Sequence, residues 1–302
     1  MGKKFLLLLF VATLACATLC TGQDRRLIIH ADDLGNAHAT NVAAMEMLDS
    51  GAVSSASIMM PCAWVAEIAE YARKHPEKDL GLHLTLTSEW KTIRWGPVAG
   101  RSRVPGLVDA EGYMHKSEVT VAMKATPQEV ETELRAQIEL AKTLGIKFTH
   151  FDTHMGTLYT RLDFFQVFEK LGKEYGVPIL RVKPTEAAQK RVASVPDLAK
   201  YVVSNDARFA QEGLIRLDLL LENASGGAHD EARKAAYYKV LRELPPGLTM
   251  MIIHPAVMSP ELKAMTGTSA DRDNDYRIFM DATTRQVIKD AGIKLVGWRD
   301  AK

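Results

Sequence analysis

The chain has 302 residues, 47% of them hydrophobic and 25% charged, with 38 Lys and Arg against 37 Asp and Glu. That composition excludes a disordered polyelectrolyte, and a formal charge of +1 offers no basic face for nucleic acid. Three cysteines are too few for a disulfide scaffold, and the length suits one α/β unit of about 250 residues or two smaller domains.

Residues 1–22 stand apart from the rest. Lys3 and Lys4 precede an apolar run from Phe5 to Leu19, the layout of a secretory signal and shorter than the about 20 residues of a spanning helix. Small residues, Cys20 and Gly22, stand where a signal peptidase reads, just before Gln23. The expectation is an exported protein, periplasmic or secreted, with residues 23–302 as a single domain and no further membrane segment. A retained N-terminal anchor is one alternative. Lipidation at Cys16 is another, weakened by Thr13 where such signals prefer Leu. Removing residues 1–22 takes Lys3, Lys4, Cys16 and Cys20 and no acid, so 36 basic side chains would face 37 acidic ones. Cys62 alone would remain, and no internal disulfide could form.

The remainder alternates strand-like and helix-like segments. Leu27 to Ile29 is a short apolar strand ending in HADDLG, followed by a helix over 41–48. A strand over 53–60 stops at Pro61, and a helix over 63–73 leads to a strand over 80–84. Residues 86–125 break the rhythm with Trp90, Trp95, Pro97, Gly100, Pro105, Gly106 and Gly112, a long irregular insertion of the kind that lines a site and sets its specificity. Thr126-Pro127-Gln128-Glu129 then combines an N-cap, a first-turn proline and a capping-box glutamate. Val130, Leu134, Ile138 and Ala141 continue it as an apolar helical stripe that Gly145 ends. Strands over 147–151, 177–182, 248–253 and 293–298 and helices over 163–175, 231–244 and 276–290 complete the pattern, while 184–228 suits short helices. About seven βα units predict a parallel sheet wrapped by helices, closed as a distorted (β/α) barrel. No G-x-G-x-x-G follows the first strand, so nothing favours a dinucleotide fold.

The chemistry lies where apolar strands end. The first stops at Asp32-Asp33, the third carries His83, the fourth runs into His150-Phe151-Asp152-Thr153-His154, and a late one stops at His254-Pro255. In parallel α/β folds the carboxyl ends of strands face the site. Asp and His supply the oxygen and nitrogen donors of a Zn²⁺-type ion, with three protein ligands and an open position when the site is catalytic. Each residue also has a plain structural reading: Asp32-Asp33 as a helix N-cap, His83 as a core histidine, His254 as a loop hydrogen-bonder. Convergence of four strand ends weighs against four separate accidents. Cys62 and the serines at 54, 55 and 57 lack a nucleophile context. Trp90 and Trp95 suit either a sugar platform or an anchor for the insertion, and Arg181 either a substrate contact or a carboxylate partner.

Taken in order, LIIHADDLG, Asn41, GAVSSASIMMP, LGLHLTLT, THFDTH and IIHP resemble the YdjC-like carbohydrate deacetylases, a family that includes chitooligosaccharide deacetylases; the resemblance runs from about residue 26 to 298. It implies a distorted (β/α) barrel and a hydrolase that removes an acetyl group from an N-acetylated sugar or oligosaccharide. By the same resemblance Asp33, His83 and His154 would hold one divalent metal, zinc or magnesium, Asp32 would be the general base and His254 the general acid. One departure concerns the lining: many members continue the Asp-x-His motif with further histidines, whereas this chain reads Met155-Gly156-Thr157-Leu158-Tyr159. Two competing functions are a metal-independent barrel glycoside hydrolase with two carboxylates and a non-catalytic, exported sugar-binding protein.

Overall fold

The computed structural model describes residues 24–222 and 230–301; the expected signal, residues 1–22, lies outside them. In chain order they form β1 (Arg25–Leu34), α1 (His38–Ser50), β2 (Ser55–Ile58), α2 (Val65–Lys74), β3 (Leu80–Leu84), α3 (Glu118–Lys124), α4 (Pro127–Thr143), β4 (Phe151–Thr153), α5 (Leu162–Tyr175), α6 (Glu186–Arg191), α7 (Pro196–Gln211), β5 (Leu219–Glu222), α8 (Asp230–Arg242), β6 (Gly247–Ile253), α9 (Pro260–Met265), α10 (Ser269–Met280), α11 (Ala282–Asp290) and β7 (Ile293–Leu295).

All strand pairs are parallel, in the order β4-β3-β2-β1-β6-β5, with β7 wedged against the start of β1. Leu27, Ile28 and Ile29 are fully buried, because helices cover the outer face of such a sheet while the barrel fills the inner one. The two free edges meet through residues 178–183. On one side Phe151 N donates to Pro178 O at 2.9 Å and Leu180 N to Phe151 O at 2.8 Å. On the other, Leu217 N donates to Arg181 O and Lys183 N to Leu217 O, both at 2.8 Å. The strand expected over 177–182 is therefore a seam that closes the distorted barrel, paired by single bridges rather than a long ladder.

Local sequence accounts for most element boundaries. Thr126 and Glu129 form the expected capping box at the start of α4. Farther along α4, Glu133 accepts from Val98 N at 2.9 Å and Ala99 N at 2.8 Å, which pins the insertion to the helix. The insertion keeps the expected irregular course, with only a short 3-10 turn and α3 inside it. Trp90 and Trp95 are buried in a small apolar cluster with Met59, Met114, Leu262 and Met265, so they anchor the insertion rather than present open platforms. The single helix expected over 276–290 is two, because Asp281 leaves helical geometry and caps α11, accepting from Thr283 N at 2.8 Å. Among the described residues of 184–228, the stretch that suits short helices, the chain forms α6, the longer α7 and the strand β5.

At the bottom of the barrel, His150 stacks on Trp298 with ring centroids 4.7 Å apart. Gly81 permits this packing, since a Cβ there would sit 2.4 Å from the His150 ring. His150 therefore belongs to the barrel floor, not to the rim.

Candidate active site and metal centre

Consecutive strand residues normally face opposite sides of a sheet, yet Asp32 and Asp33 both line the cavity at the barrel mouth. The cause is a slip in β1. Between Ala31 and Leu34, three residues of β1 span two of β2, and Asp33 takes a left-handed φ of 72°. A bulge of this kind re-aims a side chain, and a left-handed aspartate persists only where its surroundings hold it. Here Asn41 holds the turn, accepting from Gly35 N at 2.7 Å. The helix-cap reading of the pair fails: α1 begins after Ala37 and receives no side-chain cap.

His83 arrives from β3 and His154 from the end of β4, and both are buried. His83 Nε2 lies 3.6 Å from Asp33 Oδ1, and His154 Nε2 lies 3.8 Å from the same oxygen. The far sides of all three groups are already engaged. His83 donates from Nδ1 to Asp152 Oδ1 at 2.8 Å. His154 Nδ1 meets Thr87 Oγ1 at 2.9 Å. Arg272 Nη2 donates to Asp33 Oδ2 at 2.7 Å, while Asp33 Oδ1 is buried without a hydrogen-bond partner. One oxygen and two imidazole nitrogens thus converge, each oriented by a second partner, the arrangement by which proteins position metal ligands. Asp33, His83 and His154 could hold a metal ion, with donor atoms all within 4.8 Å of one another. Among the described residues two other buried His/Asp triplets share Asp152, but in each of them a histidine already hydrogen-bonds an Asp152 oxygen, His30 in one and His83 in the other.

Electrostatics follow from this packing. Burial opposes ionisation of Asp33, but Arg272 and the histidines around it hold its carboxyl well below the usual range. Burial likewise opposes charge on His83, yet Asp152, Asp32 and Asp33 outweigh it and lift the imidazole to about 10. Beneath them, His30 joins three strands. Its Nδ1 meets Ser55 Oγ at 2.9 Å, and its Nε2 meets Asp152 Oδ2 and Asp32 Oδ1, each at 3.0 Å. Despite full burial, those carboxylates raise it to about 9, so a buried cation faces the acids from below.

His254 follows β6. Its backbone N–H donates to Asp275 Oδ2 at 3.1 Å, and Asp275 is itself held by Tyr237 and Arg233. The His254 Nε2 lies 4.0 Å from Asp32 Oδ2. The structure therefore gathers Asp32, Asp33, His83, His154 and His254 at one mouth and leaves His150 out. Arg181, the other open case, pairs with Glu169 at 2.8 Å.

Four further residues complete the site. His30 and Asp152 lay inside quoted motifs without a role, and nothing in the sequence marked Arg272 on α10. Glu89, at the start of the insertion, places Oε1 3.5 Å from His154 Nε2.

A family model described as YdjC-like protein matches residues 26–290. The chain belongs to the YdjC-like family. Two relatives named carbohydrate deacetylase span most of it. The one from Thermus thermophilus is 31% identical over 268 residues, covering 88% of this chain and 90% of its own. The one from Brevibacillus brevis is 25% identical over 276 residues, covering 90% and 97%. A solved Enterococcus faecalis structure, named for cellobiose-phosphate cleavage, superposes with a TM-score of 0.74 at 24% identity, covering 91% of this chain and 98% of its own. That likeness shows that this YdjC-like chain shares its fold.

Proposed function

We propose that this YdjC-like protein is a metal-dependent deacetylase that hydrolyses the acetamide of an N-acetylated sugar, releasing acetate and a free amine. The observation that carries the reading is the converging triplet of Asp33 Oδ1, His83 Nε2 and His154 Nε2, each with its far side held. Two imidazoles and one carboxylate suit zinc or another first-row ion better than magnesium, which takes oxygen donors. A bound divalent ion would supply Lewis acidity to the acetamide carbonyl and acidify a water.

The chain's own groups do the proton work. Asp32 faces the triplet, with Oδ2 3.8 Å from His83 Nε2, and accepts the proton of the attacking water. His30 holds the other Asp32 oxygen at 3.0 Å, so the base is aimed before substrate arrives. His254, on the same side as Asp32 Oδ2, donates a proton to the departing nitrogen, which would otherwise leave poorly as an amide anion. The glycoside-hydrolase reading needs two carboxylates flanking one bond at about 5–9.5 Å. Here Asp32 and Asp33 both point at His83 from one side. Export is part of the proposal, and N-terminal sequencing of the mature protein tests it: a chain beginning at Met1 would exclude cleavage.

The deciding experiment is acetate release from N-acetyl sugars. Activity should vanish with a chelator and return with added metal. Acetate release indifferent to the chelator, or cleavage of the glycosidic bond instead, would overturn the reading.

A further inference from the structure

The cavity at the barrel mouth holds about 920 Å³, and its two sides differ in chemistry. The charged side is built from β1, β3, β4 and β6, which carry Asp32, Asp33, His83, Asp152, His154 and His254. The opposite side stands over the seam and β5. There α6, α7 and the turn between them supply Ala188, Val192, Val195, Ala199 and Val202 to the lining, interspersed with Gln189, Arg191 and Ser194, and α3 supplies Val119, Ala122 and Met123. The apolar side reaches the outside: Met123 is 73% exposed and Val119 56%. Met155 also lines this cavity, directly after His154, where the family resemblance leads one to expect further histidines. Its Sδ accepts from Thr87 Oγ1 at 3.4 Å, so the thioether takes part in the wall. The charged groups on this side are largely paired among themselves, Arg191 with Glu222 at 3.1 Å and Arg181 with Glu169 at 2.8 Å.

A sugar polymer carries hydroxyls along its whole length and gains little from a wall made mostly of aliphatic side chains, which cannot hydrogen-bond them. An amphiphile matches both halves, because the cavity is continuous from the charged groups to the aliphatic wall. We infer that the substrate of this site is an amphiphilic N-acetyl amino sugar, whose hydrocarbon aglycone lies along α6 and α7 while its acetamide faces Asp32, Asp33 and His254. The inference rests on the deacetylase reading for its chemistry and on the wall for its substrate class. Both helices follow the seam and carry none of Asp32, Asp33, His83, Asp152, His154 and His254, so the aglycone and the acetamide are bound by different parts of the chain.

The test compares methyl, butyl, hexyl and octyl glycosides of N-acetylglucosamine with the metal-loaded enzyme, below their micelle concentrations. The expected kcat/KM rises about three- to fourfold per methylene until the wall is covered, the increment of burying one CH₂. Ala199→Glu places a charge on the wall at a helical position that glutamate tolerates, and should cut the octyl-to-methyl ratio at least tenfold. Ala188→Glu on α6 provides the same test if the first variant does not fold. Calorimetry on the metal-free protein reads the same preference without turnover, octyl binding tighter than methyl. Equal kcat/KM across chain lengths, or a ratio unchanged in both variants, would overturn the inference. If no glycoside releases acetate, the deacetylase reading fails, and the calorimetric preference still decides the wall.

Discussion

Replacing Asp152 with asparagine tests whether the triplet is built for a metal. Asp152 is buried, and both of its oxygens are committed. Oδ1 accepts from His83 Nδ1 at 2.8 Å; Oδ2 accepts from Ser57 Oγ at 2.9 Å and His30 Nε2 at 3.0 Å. Asparagine keeps the shape but turns one acceptor into a donor, so either His83 or the His30–Ser57 side meets a hydrogen instead of a lone pair. It also removes the charge that keeps the His83 ring oriented and basic. Loss of such a carboxylate behind a ligating histidine costs about 10–100-fold in metal affinity, or about 1.4–2.8 kcal/mol. Separately, His30 keeps Asp32 Oδ1 at 3.0 Å, but the mismatched amide leaves a buried hydrogen bond unmade and should cost about 1–3 kcal/mol of stability. Competition of zinc against a chromophoric chelator reads the first effect and urea unfolding the second. A folded Asp152→Asn protein that binds zinc within about twofold of wild type would show that His83 needs no such support, and the metal assignment would lose its structural basis.

Other outcomes follow from the same packing. Asp32→Asn and His254→Ala should each lose about 10²–10⁴-fold in turnover while metal analysis still finds one ion per chain; His83→Ala and His154→Ala should lose the ion itself. Gly81→Ala places a methyl 2.4 Å from the His150 ring and should destabilise the fold by about 1–3 kcal/mol, seen as a lower urea midpoint; an unchanged midpoint would mean that the ring is free to move. Buried Asp79 has its carboxyl held at about 2, because His150, Thr149 and the Arg299 N–H outweigh burial. A depressed folded value adds stability above the unfolded 3.8 and loses it as pH falls toward 2. Wild type should therefore lose about 2 kcal/mol across that window, and Asp79→Asn should lose markedly less.

The sequence displayed the site better than its geometry. Strand ends ending in Asp and His announced the rim, since such groups are rare in apolar strands unless the fold places them at a mouth. The capping box of α4 was legible because it is local. Three features were not. The slip that turns Asp32 and Asp33 the same way depends on the register of β1 against β2, which a single strand does not encode. Arg272 reaches Asp33 from a helix 239 residues later, with no motif around it. The pairing of residues 178–183 with Phe151 and Leu217 is a tertiary contact, so its apolar run suggested a strand but not the closure it makes.

That closure has a mechanical consequence. Against seven registered pairs between β1 and β6, the seam holds two backbone hydrogen bonds on each side. Local opening starts where few such bonds must break together. The amides of Leu180, Lys183 and Leu217 should then exchange with deuterium before those of Ile28 to Ile29. Asp32, Asp33, His83, Asp152, His154 and His254 lie on or directly after the unbroken run of strands from β4 round to β6. Opening should therefore begin at the seam, beneath α6 and α7, and reach the β1–β6 pairing last. Compliance is confined to one side of the mouth and rigidity to the other.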